Sequence, residues 1–530
     1  MAIASQKFKS ARLGTRMNQL KVGVLLTYMN QFIQIVVGLV YTPIMLRLLG
    51  QNEYGLYQLV ASVVAYMSLL SLGFGSSYLR FYARYRAKND SKEIARLNGM
   101  FMAIFLTMSL VTIVVGVCMV VNIEWVFGSG LSGAEYSTAK VLMALMVGNM
   151  ALSFPSSVFS SYIIAHERFA FQKSLAVVQS ILSPFLALPL MLLGYGSVGL
   201  VLASTIVTVL SFIVHMWFCL NRLNMRFWFK GFKFALLKEM WFFTSYIFIT
   251  QIINQVNWNV DKYLLGRLAG PTAVAVYGVG NTLRAMYVQF STAISAVFIP
   301  RVNQLVAEKR NDRLLTGLMA KVGRLQFVVL MLVLSGFVVF GHPFVKIWAG
   351  NEYTDSFWVA LIIMVSGTIP LIQNLGIEIQ IAKNKHKMRS IIYGVVAIGN
   401  IVLSIPLIRD FGPVGAAVGT AISLFVGNVI FMNIYYHTRV GLDMVFFWGQ
   451  ILRLIPGLVP SIVFGMVIMK YPDLNSWLAL ACWIPPYVLV YLLSMWMFGL
   501  DRGEKDMFIG PISRILGGRH KCKDLKGTVR

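Results

Sequence analysis

The sequence predicts an all-α polytopic membrane protein of about fourteen transmembrane helices, each spanning a hydrocarbon core about 30 Å thick. Three observations carry that prediction. Of the 530 residues, 58% are hydrophobic and only 12% are charged, about half the charged share of a soluble domain. The mean hydropathy is +0.72, and apolar runs of about 20 residues, the length of a transmembrane helix, recur from end to end. The basic residues gather in every second loop, which is the positive-inside pattern. A β-barrel is excluded, because its strands would be short and alternating.

The first run, Val22–Leu46, follows Lys7, Lys9, Arg12 and Arg16. It exceeds a signal-peptide core and has no small-residue cleavage site after it, so it reads as an uncleaved first span with a cytoplasmic N-terminus. The spans that follow are Tyr57–Gly75, Asn98–Val121, Val141–Ile164, Ser174–Leu193 and Gly199–Leu220. Next come Trp241–Leu265, Ala273–Ile299, Phe327–Val345, Val359–Ile381, Ile391–Leu407 and Ala416–Tyr436, then Leu454–Met469 and Leu478–Phe498. Rich basic loops follow spans two, six, eight and ten, from Arg80 to Arg96, Arg222 to Lys238, Arg301 to Arg324 and Lys383 to Arg389, and the tail is basic again. The odd loops hold little more than Lys140, Lys346, Arg409 and Lys470. An omitted helix would reverse this alternation, so an even count with both termini in the cytoplasm is expected. The net charge of +26, distributed in this way, points to anionic lipid and not to nucleic acid. Cys118, Cys219, Cys482 and Cys522 show neither metal spacing nor a disulfide framework.

Two echoes indicate duplication. Arg47-Leu48-Leu49-Gly50 with Tyr57 returns as Arg267-Leu268-Ala269-Gly270 with Tyr277, an offset of 220 residues that also carries Gln31 onto Gln251 and Gln34 onto Asn254. Gly196-Ser197-Val198-Gly199 with Ile206 returns as Gly412-Pro413-Val414-Gly415 with Ile422, an offset of 216. A repeat of six spans keeps its orientation, so two lobes related by an axis along the membrane normal are expected. The implied division is an N-lobe at residues 1–220, a C-lobe at 221–440, and a terminal helix pair with a basic tail at 441–530.

The stretch from Trp241 to Pro300 reads as two apolar helices joined by a short turn at Gly270-Pro271, and the first of them carries Gln251, Asn254, Gln255, Asn257 and Asp261. Gln251, Asn254, Trp258 and Asp261 fall within about 80° of one another on a helix that turns 100° per residue. The following span carries one full charge, Arg284, about 15 Å below the outer surface at about 1.5 Å per residue. A charge at that depth costs at least about 2.5–3.5 kcal/mol against lipid, so a wet cavity inside the bundle is the expected setting.

Leu49-Gly50-x3-Tyr54-Gly55-x-Tyr57 resembles the opening of bacterial polysaccharide and oligosaccharide flippases, members of the multidrug/oligosaccharidyl-lipid/polysaccharide exporter superfamily. Asp261-Lys262-x-Leu264-Leu265-Gly266 with Tyr277-Gly278 resembles the same family's seventh and eighth spans. The resemblance covers essentially the whole chain. It implies two six-helix lobes plus a pair, a central cavity with cationic residues, and alternating access. It also implies movement of an undecaprenyl-pyrophosphate-linked oligosaccharide to the outer leaflet for surface polysaccharide such as lipopolysaccharide or capsule. The partners it implies are that lipid-linked cargo, membrane lipids and polysaccharide assembly proteins.

Arg284 is the main candidate for the pyrophosphate, since a guanidinium stays ionised and presents a fork of donors to phosphate oxygens; an internal ion pair with Asp261 or Glu378 is the alternative. Gln31, Gln34, Gln251 and Asn254 either line the cavity and bind sugar hydroxyls or join helices to one another. Trp258 either stacks on a sugar or belongs to the interfacial aromatic belt. Asp261 is a structural pair or cap beside Lys262, or an ion-coupling site; Glu378 pairs with Lys383, snorkels, or couples protons. Arg80 and Arg84 are a cytoplasmic entrance for the head group or positive-inside anchors. No phosphate-binding loop, metal cluster or nucleophile elbow occurs in the sequence, so neither a cofactor nor an enzyme activity is expected. The rival readings are a drug/cation antiporter of the same superfamily, a membrane-embedded sugar polymerase or ligase, and a scaffold without transport.

Overall fold

The computed structural model describes residues 2–128, 131–231, 234–308, 311–385, 387–470, 473–501 and 503–505. The basic tail beyond residue 505, Cys522, and the loop residues Lys233, Lys309 and Arg310 lie outside the described residues. No strand occurs among the described residues. The helices in order are α1 (Ala2–Ala65), α2 (Phe74–Ala87), α3 (Ser91–Val121), α4 (Ile123–Phe127), α5 (Gly133–Ala165) and α6 (Phe169–Leu190). They continue with α7 (Gly196–Trp217), α8 (Phe234–Leu268), α9 (Gly270–Ala307), α10 (Asp312–Trp348), α11 (Ser356–Ile372) and α12 (Asn374–Ala382). The last are α13 (Lys387–Phe425), α14 (Asn433–Tyr435), α15 (Met444–Leu452), α16 (Val459–Lys470) and α17 (Trp477–Ser494).

Ten stretches among the described residues are long and apolar enough to cross a membrane. Three of them, Leu25–Ser71, Phe169–Arg222 and Met388–Val440, run to 47, 54 and 53 residues, room for two crossings of about 20 residues each. α8, with its glutamines and asparagines, falls outside the ten. These stretches do not by themselves give the fourteen crossings expected from the loop charges. The expected tenth span is not one helix: it divides into α11 and α12 at Gln373.

The long stretches break at glycines, and the breaks repeat. Gly196 has φ 50 and ψ −134, and Gly412, its counterpart at the 216-residue offset, has φ 55 and ψ −131. Side chains with a Cβ rarely adopt that conformation. Gly50 and Gly270, counterparts at the 220-residue offset, are likewise left-handed, at φ 71 and 84. Each pair shares the sign of φ at the positions that the sequence offsets relate. A second glycine role is close approach. A Cβ on Gly55 would lie 1.8 Å from the Pro271 carbonyl oxygen, so the second half of α1 presses directly on the start of α9.

The chain forms two compact units. One comprises Met1–Gln289, Trp348–Gly367 and His386–Met432. Its core joins Leu59 and Val60 of α1, Leu142 and Met143 of α5, Leu265 of α8 and Val274 of α9. A second cluster packs Phe81, Phe101, Phe105 and Phe159. Glu53 accepts hydrogen bonds from the Ser197 N–H at 2.8 Å and hydroxyl at 2.9 Å, placing a negative charge at the start of α7 where the helix dipole favours it. Phe185, Leu192 and Leu193 point outward with about 70% of their surface uncovered, as expected where lipid is the solvent.

The other unit comprises Phe290–Ile347, Thr368–Lys385 and Asn433–Arg530. Val339 and Phe340 of α10 pack on Ile468 of α16 and on Leu480 and Tyr487 of α17. Arg324, counted in the sequence among the loop cations, is instead 3% exposed. Its Nε donates to Glu504 at 2.6 Å, its Nη1 to the Gln450 carbonyl at 2.7 Å, and its Nη2 contacts Asp501 at 3.3 Å. Burial is the largest influence on Glu504 and raises its pKa, but the hydrogen bonds and charge of Arg324, the Asp501 backbone N–H and the charge of Lys321 together hold the carboxyl below its ordinary range.

Two expectations follow. Gly412→Ala meets no atom within 4 Å, so it isolates backbone strain and should cost about 1–3 kcal/mol. Thermal unfolding in detergent checks this against Gly399→Ala, where the space is equally open and no loss is expected; equal melting temperatures would refute the strained turn. A carboxyl depressed on folding contributes stability above its unfolded pKa, about 4.3, and loses it as pH falls through the lower folded value. The melting-temperature gap between the wild type and Glu504→Gln should therefore be full at pH 7 and shrink below about pH 4. A gap independent of pH would contradict the Arg324–Glu504 assignment.

Candidate functional site

α8 and α9 are separated by Ala269 alone, with the reversal at Gly270 (φ 84). This hairpin brings Arg284 of α9 against α8. The guanidinium Cζ lies 4.1 Å from the centroid of the Trp258 ring, and Nε donates to Asn281 Oδ1 at 2.7 Å, one turn back on the same helix. Neither partner is charged. Among the described residues of its own unit no carboxylate lies within 4 Å of Arg284, so the ion pair with Asp261 considered from the sequence is absent there. The magnitudes do not balance. Attraction to an aromatic face contributes about 0.5–2 kcal/mol, and a charge at mid-bilayer costs at least about 2.5–3.5 kcal/mol. The remainder has to come from water or from an anionic guest.

A second cation stands nearby. Lys262 follows Trp258 by four residues and so shares its helix face, within electrostatic range of Arg284. Its Nζ donates to Gln58 Oε1 at 2.8 Å, and Gln58 Nε2 donates to the Tyr54 hydroxyl at 2.7 Å. Lys262 too has no carboxylate within 4 Å among the described residues.

Asp261 is 1% exposed and turned away from these cations' contacts. Its Oδ2 accepts from the Thr420 hydroxyl at 2.6 Å and the Tyr277 hydroxyl at 2.9 Å. Its Oδ1 is reached at longer range by Ser404 Oγ, 3.4 Å, and Asn400 Nδ2, 3.5 Å. Ser404 also lies 3.0 Å from Asn400 Oδ1, and its single hydrogen serves one acceptor at a time. The structural pair or cap read beside Lys262 is thus corrected: every recorded partner of Asp261 is a neutral hydroxyl or amide contributed by α9 and α13.

The four residues expected on one face of α8 have separated. Asp261 is buried against α13, Trp258 is 41% exposed and carries the guanidinium, Asn254 is exposed and Gln251 is partly buried with an unpartnered Oε1. Gln31 is partly buried and Gln34 exposed on α1. None of Gln31, Gln34, Gln251 and Asn254 hydrogen-bonds another described residue, so they do not act as interhelical glue in this structure. Gly38 of α1 approaches Met286 of α9, where a Cβ would lie 2.5 Å from the methionine methyl; Gln34 and Gln31 lie one and two turns before that contact.

Glu378, on α12 of the second unit, is partly buried with no recorded partner. The pairing with Lys383 is not made, because Lys383 Nζ donates to Asp312 at 2.7 Å and the Val440 carbonyl at 2.8 Å. Arg80 and Arg84 are exposed at the end of α2, and Arg84 contacts Glu239 of α8 at 3.3 Å, a surface pair worth at most about 1 kcal/mol. An apolar cavity of about 480 Å³ lies between Val63, Met67, Val115, Met119, Trp125 and Tyr263; Arg284 is not in its lining.

A family model described as "Polysaccharide biosynthesis protein" matches residues 20–306, more than half of the chain and all of the elements that build this site apart from α13. The chain belongs to that family. Members of this kind with related sequences include the "Putative O-antigen transporter" of Shigella flexneri, 20% identical over 407 residues that cover 73% of this chain and 91% of the relative. The "Probable flippase AglR" of Haloferax volcanii is 24% identical over 404 residues, covering 75% and 79%. Among solved structures, the family fold matches "Lipid II flippase MurJ, inward closed conformation" with a TM-score of 0.69 and 16% identity, over 93% of this chain and 99% of that one. An inward-facing multidrug resistance transporter of the same exporter superfamily matches with a TM-score of 0.59 and 13% identity, over 78% and 98%. The fold is therefore that of flippases and exporters, and the chain is a multi-pass membrane protein of polysaccharide biosynthesis.

If Trp258 holds Arg284 by its ring face, removing either should make the other expendable. Trp258→Leu is expected to cost about 0.5–2 kcal/mol, and Arg284→Met in that background should add no further cost from the lost contact. A double-mutant cycle of detergent-solubilised melting curves reads this; strictly additive losses would dissolve the pair.

Proposed function

We propose that the chain flips an undecaprenyl-pyrophosphate-linked oligosaccharide, the repeat unit of a cell-surface polysaccharide, across the bacterial inner membrane by alternating access. The observation that carries this reading is Arg284, held by an indole and an amide with no anionic partner among the described residues. A site that keeps an uncompensated cation in the bilayer is built for an anion that arrives and leaves. The pyrophosphate meets Arg284, the unpaired amides of Gln31, Gln34, Gln251 and Asn254 take sugar hydroxyls, and the lipid tail stays in the bilayer. Arg80 and Arg84 draw the head group in from the cytoplasmic side, where both termini lie. The moving parts are the lobes at residues 1–220 and 221–440, with 441–530 appended, and fourteen crossings in all. The names of the relatives and the family support this assignment.

Asp261 favours a coupled mechanism. A buried carboxyl surrounded by neutral donors is a place where a proton or a small cation binds and is released, and α13 supplies three of its four partners. A drug/cation antiporter also needs a buried carboxylate, so Asp261 alone suits that reading as well. Arg284 separates the two, because a cationic drug is repelled by it. Glu378 is a weaker coupling candidate, and a polymerase or ligase finds no set of catalytic carboxylates in this site.

Reconstitution with a labelled lipid-linked oligosaccharide tests the proposal. Arg284→Ala removes a charge-assisted contact worth about 1.5–3 kcal/mol, so flipping should fall at least about tenfold, with partial recovery in Arg284→Lys. Unchanged flipping in Arg284→Ala would remove the site assignment.

A further inference from the structure

We infer that Lys262 is a second phosphate-binding cation of the Arg284 site, and that the two together select a cargo bearing two negative charges over one bearing a single charge. The inference rests on the reading of Arg284 as the pyrophosphate ligand and adds to it the charge class of the guest and the residue that measures it.

The physical case begins with placement. Lys262 is one helical turn beyond Trp258 on the same face of α8, and Arg284 lies over that indole. Gln58, which accepts from Lys262, also lies against Gly278 on the same helix as Arg284, so two like charges face one stretch of the hairpin and repel each other. Each is nevertheless left without a carboxylate within 4 Å among the described residues. The nearest acid in sequence, Asp261, is committed elsewhere, to Thr420, Tyr277, Ser404 and Asn400. Consecutive side chains on a helix diverge by about 100°, and here the carboxylate faces α13 and the ammonium faces Gln58.

Gln58 acts as a neutral placeholder. It gives Lys262 one acceptor, at 2.8 Å, and is itself positioned by the Tyr54 hydroxyl and by the open face of Gly278, where a Cβ would come within 3.2 Å of its Cγ. One amide oxygen satisfies one of the three ammonium donors and cancels no charge. A diester of pyrophosphoric acid carries two negative charges and neutralises both cations. A monophosphate diester carries one and leaves one cation exposed to the low-dielectric interior. Arginine suits the forked contact and lysine the point charge. A discriminating site of this kind would pass lipid diphosphate sugars and reject lipid monophosphate sugars that share the same tail and saccharide.

The probes are a short-chain polyprenyl diphosphate N-acetylglucosamine and its monophosphate counterpart, titrated onto the detergent-purified full chain with melting temperature as readout. The wild type should bind the diphosphate at least about tenfold more tightly, a difference of one contact of about 1.4 kcal/mol. Lys262→Met should bring the two affinities within about twofold, and its melting curve without any probe reports that the variant is folded. Lys262→Arg should keep the preference. A wild-type preference that survives Lys262→Met, or a wild type without preference, overturns the inference. Arg284→Ala, measured alongside, separates the two layers: if it weakens both probes while Lys262→Met changes nothing, the anionic site stands and only the role of Lys262 falls.

Discussion

An arginine resting on a tryptophan, with no acid within 4 Å among the described residues around it, is the constraint around which the other features fall into place. The Arg284–Trp258 contact needs α8 and α9 to run back to back, which the left-handed Gly270 provides. It needs α1 close enough to wall the site, which the contacts of Gly38 with Met286 and of Gly55 with Pro271 provide. It also needs the neighbouring acid to be kept away, and α13 does that by enclosing Asp261 in hydroxyls and amides. Cation–π attraction is too small to offset the desolvation of a guanidinium. The protein therefore holds the charge in position without neutralising it, as a binding site should and a structural pair need not.

The placing of Asp261 and Lys262, consecutive residues with opposite charges, shows how a helix separates two tasks. Successive side chains diverge by about 100°. The carboxyl points into a polar pocket of the first unit and the ammonium towards Gln58 of α1. On the proposed reading, charge recognition and ion coupling belong to different faces of one helix. A displacement of α13 relative to α8 would be felt at Asp261 first and, through the rigid helix, at Trp258 almost one turn before it and at Lys262, the next residue.

Much of the architecture was readable because two signals are global. Apolar runs and loop charges hold over hundreds of residues, and the 216-residue offset lands on glycines whose backbone angles agree to within a few degrees, Gly196 with Gly412. The site was readable only in part. Depth counting located Arg284, since depth depends on sequence position alone. Its partner was not foreseen: Trp258 was weighed as a sugar platform or a belt residue, because an aromatic on a helix gives no sign of what the next helix lays over it. Asp261 was grouped with Trp258 from angular spacing, which ignores the neighbour that closes one edge of the arc. Asn400 and Ser404, spaced by four in an otherwise apolar run, were a local signal that periodicity offered and that charge-based reasoning passed over. Arg324 looked like a loop cation because its acids, Asp501 and Glu504, are far away in sequence.

The most direct measurement of the central claim is a cryo-electron microscopy map of the protein with a lipid-linked oligosaccharide bound. The account predicts phosphate density within charge-assisted hydrogen-bonding range of the Arg284 guanidinium, about 2.7–2.9 Å, with the indole of Trp258 still beneath or beside it. Cargo density lying elsewhere, with Arg284 unmoved on its ring or joined to a carboxylate, would contradict it.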